Sequence, residues 1–410
     1  MFAAANGRRL IMTSIKKALR RAVLNESGVE RVKSRHPWLF RGNLIQAPVC
    51  APGDIIAFTD RKGQVLGWGL WSEGALCIRV LSFGSHEPDQ MELLRSRVER
   101  ALAVRKCWCA GEESFRWVHG EGDRLPGISA DLYGDVLSLQ LSVMGWYRHA
   151  DEVAKIFRKV KKLSAVILRN DTKHLEKEGI PREIKPLLGE MPAEPLKVKI
   201  GETYELVDIA GGQKTGAYLD VRRVPALLDP LYKDAKVLDC FSYQGHFTLH
   251  ALGKGAAEVT AIDQSQSALE RAKENISING LSCAKVTFRC GNAFDIMREI
   301  DADRARYDIV IMDPPPFSPA RGQLDSARRG YKELAVRGFR RLDAGGHLVF
   351  MSCSHAFTRD MLLDTLNDAA RDAGSVCRIV HEIHQPQDHP ALLGVPETDY
   401  LKGFVMGVEE

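Results

Sequence analysis

Residues 236–263 read KVLDCFSYQGHFTLHALGKGAAEVTAID. An apolar run ending in Asp239 meets a turn closed by Gly245, a helical stretch follows, and a second apolar run ends in Asp263, which predicts a strand, a helix and a second strand. The alternation continues downstream. KVTFRC, YDIVIMD, HLVFMSC, CRIVHEI and YLKGFVM read as strands, and SALERAKENISING, RGYKELAVRGFRRL and RDMLLDTLNDAARDAG as helices between them. Strands spaced by helices of this length need crossover connections, and so a doubly wound α/β domain whose parallel sheet is covered on both faces. Upstream the texture differs. Residues 13–88 hold short alternating runs punctuated by glycine, such as GDIIAFTD, QVLGWGLW and ALCIRVLSF, which predict a small β-barrel. Residues 89–195 read as a linking helix, HEPDQMELLRSRVERALAVRKCW, and an α+β middle domain, and residues 196–410 as a β-hairpin followed by the α/β domain. The Pro- and Gly-rich segment EIKPLLGEMPAEPLKVKIGETYELVDI (183–209) is expected to be the hairpin connector.

Composition bounds the function. The 410 residues are 45% hydrophobic and 27% charged, the usage of globular domains, and lack an apolar run long enough to span a bilayer. Residues 1–43 carry ten Lys/Arg against two Glu, a local +8, while the remainder of the chain sums to −4. Such an arm is either a footprint for a polyanion or a solvated basic surface. The N-terminus lacks the order of a signal peptide, and Met12 could serve as the start in place of Met1. Nine cysteines without a C-x-x-C pair indicate neither a disulfide framework nor a zinc site, and a reducing cytoplasm is expected. The pairs His246/His250 and His381/His384 show no acidic or thiol partner in the sequence, so no metal is expected.

In open parallel sheets ligands bind beyond the carboxyl ends of the strands. Asp263 falls 24 residues after Asp239, near the place where an acid meets ribose hydroxyls, although it could equally be a helix N-terminal Asp. The third strand ends in RCGNAF, putting Asn292, Ala293 and Phe294 where an adenine could be met. Together these strand ends point to an adenosine-containing cofactor. G-x-G-x-x-G is absent, which argues against a dehydrogenase.

The fourth strand delivers Asp313 into MDPPPF (312–317), a loop stiffened by three prolines. Asp-Pro-Pro-(Phe/Tyr) there is characteristic of S-adenosylmethionine-dependent methyltransferases acting on planar nitrogen heterocycles. The fifth strand ends at Cys353, flanked by Ser352, Ser354 and His355. Polar neighbours suit a thiol that must become a thiolate, whereas the other eight cysteines read as inert core residues. Carbon 5 of cytosine becomes nucleophilic when a thiolate adds at carbon 6, so a methyltransferase with such a cysteine suits ring-carbon methylation.

Seven ordered blocks are similar to the bacterial ribosomal RNA large-subunit methyltransferases that make 5-methylcytidine in 23S rRNA. They are HPWLFRGNL (36–44), HGEGDRLPGISADLYGD (119–135), GGQKTGAYLDVRR (211–223), LDCFSYQGHFT (238–248), MDPPPF, SCSH (352–355) and QPQDHPALLGVPETDYLKGF (385–404). The resemblance implies an N-terminal PUA domain that binds RNA, an α+β middle domain, and a class I methyltransferase fold with a seven-stranded sheet and an antiparallel last strand. It implies Cys353 as nucleophile, Asp313 as partner of the base edge, and S-adenosylmethionine held by Asp239, Phe241, Gly245, Asp263, Asn292, Ala293 and Asp313. Lys214, Thr215 and Tyr218 would lie in a loop beside the cofactor, and Asp220 to Arg223 would begin the next helix. The partner implied is 23S rRNA, in the cytoplasm, with a homodimer possible. Two departures stand out: Pro316 replaces a frequent Lys, and the residues before Met12 precede the usual start.

Two rival readings compete. A methyltransferase acting on a purine nitrogen would need no thiol, and an RNA-binding assembly factor with a degenerate fold would need none of the acids. Phe317 and Tyr331 could stack on an extruded base or pack the core. The basic stretch 321–341 could meet RNA phosphates or form a solvated helix face.

Overall fold

The computed structural model describes residues 20–317 and 324–409. Arg8, Arg9, Lys16 and Lys17 of the basic arm lie outside the described residues. The N-terminal sheet has six strands: β1 (Arg21–Leu24), β2 (Trp38–Phe40), β3 (Leu44–Gln46), β4 (Ile55–Thr59), β5 (Val65–Trp71) and β6 (Leu76–Phe83), in the order β2-β6-β5-β4-β1-β3. Its two edge strands, β2 and β3, are consecutive in the chain and joined by Arg41–Asn43 alone. That linker reaches about 14 Å at most, whereas the edges of a flat six-stranded sheet lie roughly 24 Å apart. The sheet must therefore curl on itself, as the predicted barrel requires. A helix absent from the expectation, α1 (Glu26–Lys33), is capped by Asn25, whose Oδ1 accepts the Gly28 N–H at 2.9 Å. At eight residues it is too short to show a periodic stripe.

The expected linking helix is α2 (Gln90–Trp108). The middle sheet runs β11-β10-β9-β8-β7, from β7 (Ser114–His119), β8 (Ile128–Tyr133), β9 (Val136–Leu141), β10 (Ala165–Asn170) and β11 (Glu183–Leu188). Here the structure corrects the sequence reading. Residues 183–188 are not connector but an edge strand, antiparallel to β10, and Pro186 is tolerated because an edge strand need not donate on its outer side. The hairpin proper is β12 (Leu196–Ile200) with β13 (Thr203–Val207). The helical part of the middle domain is a single turn, Met144–Tyr147, followed by α3 (Ala150–Val160). Trp117 and Phe157 meet edge to face at 5.0 Å in the core between sheet and helices.

The third sheet has seven strands: β14 (Lys236–Cys240), β15 (Glu258–Asp263), β16 (Val286–Cys290), β17 (Tyr307–Met312), β18 (Leu342–Ser352), β19 (Cys377–His384) and β20 (Lys402–Val408). Their order is β16-β15-β14-β17-β18-β20-β19, and the last strand, β20, is antiparallel to both neighbours, as expected. The helices are α4 (His246–Gly253), α5 (Gln266–Ile278), α6 (Ala293–Asp303), α7 (Leu324–Phe339) and α8 (Arg359–Ala373). The sequence reading passed over α6, although Ala293, Ile296, Met297 and Ile300 are buried at helical spacing. The basic face of α7 is largely answered from within the fold: Arg328 pairs with Asp368 at 2.9 Å and Lys332 with Asp372 at 2.8 Å, both on α8. Asp220 to Arg223 form no α-helix. They lie in and just after a short 3-10 turn, Leu219–Val221. Among the described residues no helix is long and apolar enough to cross a membrane.

Candidate active site

A cavity of about 500 Å³ opens beyond the carboxyl ends of β14 to β18. Its volume suits a nucleotide-sized ligand. Of the residues singled out from sequence, Lys214, Tyr218, Phe241, Asp263, Asn292, Ala293, Asp313 and Cys353 line it. β17 and β18 are parallel neighbours with Met312 opposite Phe350, so Asp313 and Cys353 leave adjacent strands on the same wall.

Three residues expected against the cofactor stand behind the wall. Asp239 is 1% exposed, and its Oδ2 accepts both the Thr248 N–H at 3.1 Å and the Thr248 hydroxyl at 2.7 Å. It fastens the first turn of α4 to the end of β14. Gly245 caps α4 at φ +81°, and a Cβ there would meet Ala272 Cβ at 2.9 Å, so conformation and packing both demand glycine. Thr215 is buried against the middle domain, its hydroxyl bonded to Asp131 and 3.3 Å from the Tyr133 hydroxyl.

Asp263 presents a carboxylate already oriented by backbone: Oδ2 accepts from Tyr243 N at 2.9 Å and Oδ1 from Ser265 N at 2.8 Å. The cap of α5 is Ser265 rather than Asp263, which leaves the acid at the cavity. Asn292 spends its Oδ1 on the Phe294 N–H at 2.9 Å, so its amide group is what it can offer a ligand. Phe241 and Tyr243 hold φ of +65° and +47°, and Lys214 +52°, a left-handed conformation that is uncommon for non-glycine residues. All three line the cavity.

Burial pushes the Asp313 carboxyl up to about 7, Asp220 adding repulsion and Lys214 opposing it. Burial likewise pushes the Cys353 thiol up to about 11, reinforced by Asp313 and Asp220 and countered by Lys214. The thiol is therefore neutral at rest, and its serine neighbours do not activate it. Ser352 donates to the Tyr331 hydroxyl at 3.1 Å and Ser354 accepts from Phe357 N at 3.3 Å, both serving the turn that carries Cys353. Tyr331 is fully buried and belongs to the core, whereas Phe317 is at the cavity. The expectation that the other cysteines are core residues holds for Cys77, Cys109 and Cys240; Cys107 and Cys290 are exposed.

Sequence reasoning missed several residues of this wall. Asp220 is 4% exposed, with Oδ2 accepting from Lys214 Nζ at 2.7 Å and from the Tyr400 hydroxyl at 2.8 Å. His246 also lines it, 3.2 Å from the Arg222 carbonyl through Nε2 and 2.5 Å from Glu205 through Nδ1. Acidic partners thus do exist for the first histidine pair. His250, Asp229 and Glu202 converge closely enough to hold a cation, but Lys254 Nζ already lies 2.7 Å from Asp229 and 2.8 Å from Glu202. An ammonium group takes the cation's place.

The residues fit an adenosyl cofactor. Phe241, Ala293 and Phe294 offer apolar surface, Asp263 a pre-oriented acceptor, and Ser242 a buried hydroxyl without a partner among the described residues. A sheet of this order with such a cavity at its carboxyl edge defines a methyltransferase of the S-adenosylmethionine-dependent class. The family model for S-adenosylmethionine-dependent methyltransferases matches residues 177–402, and that of a PUA-like domain residues 22–83. The chain is 35% identical to the Ribosomal RNA large subunit methyltransferase I of Alteromonas mediterranea over 95% of its own length and 98% of that protein. It is 34% identical to the Klebsiella pneumoniae protein of the same name, at the same coverage. The chain belongs to the ribosomal RNA large subunit methyltransferase I family, whose cofactor is S-adenosylmethionine. Among solved structures it is similar to a methyltransferase complexed with SAH, with TM-score 0.83 and 18% identity over 95% of this chain and 100% of that one. A methyltransferase from Streptococcus mutans superposes with TM-score 0.81 at the same identity and coverage.

Proposed function

We propose that this protein methylates carbon 5 of a cytidine in 23S rRNA through a covalent adduct of Cys353. The observation that carries the reading is the pairing of Cys353 with Asp313 on adjacent strand ends in one cavity wall. Bound S-adenosylmethionine supplies an electrophilic methyl group. Phe241, Asp263, Asn292 and Ala293 would hold it, with Lys214 and Tyr218 closing the cavity from the loop above.

A thiol pushed to about 11 needs a base before it can attack. Asp313 is the strongest charged influence on it, and a carboxyl at about 7 can both take and give a proton near neutrality. Asp313 takes the Sγ proton, the sulfur bonds to carbon 6, and the same proton passes to ring nitrogen 3 as charge develops there. Carbon 5 is then nucleophilic. The carboxylate left on Asp313 is the group available to accept the carbon 5 proton; the carbon 6–sulfur bond then breaks, the leaving thiolate recovers its proton from nitrogen 3, and Asp313 releases the carbon 5 proton to water.

A cytosine held in a duplex must be extruded to reach such a cavity, at a cost of a few kcal/mol, so a loop cytidine or free rRNA suits it better than an assembled subunit. The PUA-like domain would supply part of the RNA grip. Nucleoside mass analysis of unmodified 23S rRNA, incubated with S-adenosylmethionine and either wild type or Cys353→Ala, tests the reading. We expect 5-methylcytidine from wild type and none from the variant. A methylated guanine indifferent to Cys353→Ala would transfer the assignment to purine-nitrogen chemistry.

A further inference from the structure

Asp220 stands in the cavity wall, and the steps above leave it without a task. Its Oδ2 is fixed by Lys214 Nζ and the Tyr400 hydroxyl. The tyrosine is itself held, its ring 5.3 Å from His355 and 6.0 Å from His119. The other oxygen, Oδ1, is buried and has no hydrogen-bond partner among the described residues. A buried acceptor left unpaired is costly, and such groups in folded proteins usually await a ligand or serve catalysis. Burial alone would push this carboxyl up, but Lys214 and its hydrogen bonds hold it well below the usual carboxylate range, so it is an acceptor only. Asp313, which has Asp220 as its foremost charged influence, is pushed up to about 7 and donates once it carries the proton taken from Sγ.

An acceptor and a donor in the wall of one cavity match a particular base edge. Cytosine donates from its N4 amine and accepts at N3; uracil accepts at O4 and donates from N3, so it opposes both groups. We propose that Asp220 determines base specificity, its unpaired Oδ1 accepting a hydrogen of the N4 amine of the target cytosine while Asp313 serves N3. The inference rests on the cytosine carbon-5 reading and deepens it. Uracil placed there would leave a buried carboxylate facing a carbonyl oxygen, and sites built to pair a polar group reject a mismatched analogue strongly.

The experiment compares 23S rRNA transcripts carrying cytidine or uridine at the methylated position, with wild type and Asp220→Asn, reading kcat/KM for methyl transfer and the affinity for S-adenosylmethionine by calorimetry. Asparagine can still accept from Lys214 through its oxygen while presenting an N–H donor. We expect cytidine methylation to fall on the order of 10- to 100-fold, the strength of a hydrogen bond to a charged group, and the cytidine-to-uridine ratio to fall at least tenfold, with cofactor affinity kept. An unchanged ratio overturns the inference, as does a loss confined to cofactor affinity, which would make Asp220 a partner of the cofactor. Should Asp220→Asn not fold, Cys353→Ala protein supplies a second reading. Transcripts with cytidine or 2-pyrimidinone riboside, which lacks the amine, are expected to differ at least tenfold in affinity, and equal affinities overturn the inference. If wild type forms no 5-methylcytidine, the carbon-5 reading fails and takes this one with it. Formation of 5-methylcytidine with an unmoved ratio removes this one alone.

Discussion

Gly245→Ala perturbs the turn that sets the cavity wall, and its cost follows from two separate strains. At φ +81° an alanine must adopt the left-handed conformation, at about 1–2 kcal/mol. Its Cβ would also come within 2.9 Å of Ala272 Cβ, a methyl on α5 with no rotamer by which to retreat. Overpacking of that kind costs about 1–3 kcal/mol. Together the substitution is expected to destabilise the catalytic domain by about 2–5 kcal/mol. The two contributions separate in a double-mutant cycle. Ala272→Gly removes the clashing methyl and leaves Ala272 Cα as the next atom at 3.6 Å, an ordinary contact, while the dihedral strain stays. Coupling between the two substitutions should therefore recover about 1–3 kcal/mol of the loss.

The assay has to report the right domain. All six tryptophans precede residue 147, so intrinsic fluorescence follows the barrel and middle domain and not this turn. Hydrogen exchange of the β14 and α4 amides gives a local opening free energy without assuming that the whole chain unfolds in one step. A cost for Gly245→Ala below about 0.5 kcal/mol, or no coupling with Ala272→Gly, would refute the account of why glycine stands here.

Other outcomes follow from the same geometry. In the free protein at pH 8, iodoacetamide should modify exposed Cys107 and Cys290 well before Cys353, whose thiol is held near 11, as peptide mass analysis over time would show; early labelling of Cys353 would contradict its electrostatics. Asp313 carries the opposite linkage to a salt-bridged acid. Its folded-state value near 7 lies above the ordinary carboxylate value, so the stability it contributes is complete below about pH 4 and lost as pH rises through 7. Asp313→Asn should then be more stable than wild type at pH 8 by about 1–3 kcal/mol and equal to it near pH 4, measured by urea midpoints in far-UV circular dichroism. Asp388→Ala should cost about 1.5–3 kcal/mol, because it removes the carboxylate 2.7 Å from the fully buried Arg222, leaving that guanidinium to Glu112 alone, and frees the Arg116 N–H; limited proteolysis between the middle and catalytic domains would register the loosening.

Why some of this was legible in sequence and some was not has a physical basis. Strand ends can be read from apolar runs, and in a parallel sheet all of those ends meet at one edge. That is why Asp263, Asn292, Asp313 and Cys353, spread over 91 residues of chain, could be placed together before any coordinates. Asp239 and Gly245 share the same motif but serve the turn itself; an acid at a strand end reads the same whether it faces the ligand or caps a helix from behind. Asp220 was invisible as a site because its partners are six residues upstream and 180 residues downstream, a proximity that no periodicity encodes. The left-handed Phe241 and Tyr243 carry no glycine to announce them. For the edge strand Glu183–Leu188, Pro186 gave the wrong signal, since proline marks connectors and sheet edges alike.

The middle domain, which contributes none of the residues that line the cavity, nevertheless decides its shape. Arg169 is 1% exposed and donates to the Gly212 carbonyl at 2.8 Å and to the Ile209 carbonyl, while the Tyr133 hydroxyl accepts the Ala217 N–H at 3.0 Å. These bonds hold both ends of the loop that carries Lys214, the cation set against Cys353, Asp313 and Asp220 alike. From the other side Arg105, buried, donates to the Asp388 carbonyl at 2.7 Å and pairs with Asp123, tying the segment that leads to Tyr400 onto the same domain. Lys214 and Tyr400 are the two groups that orient Asp220. The charge balance of the chemistry is thus fixed through contacts with a neighbouring domain, and a substitution at Arg169 or Asp388 would reach the cavity through Asp220 without touching a ligand.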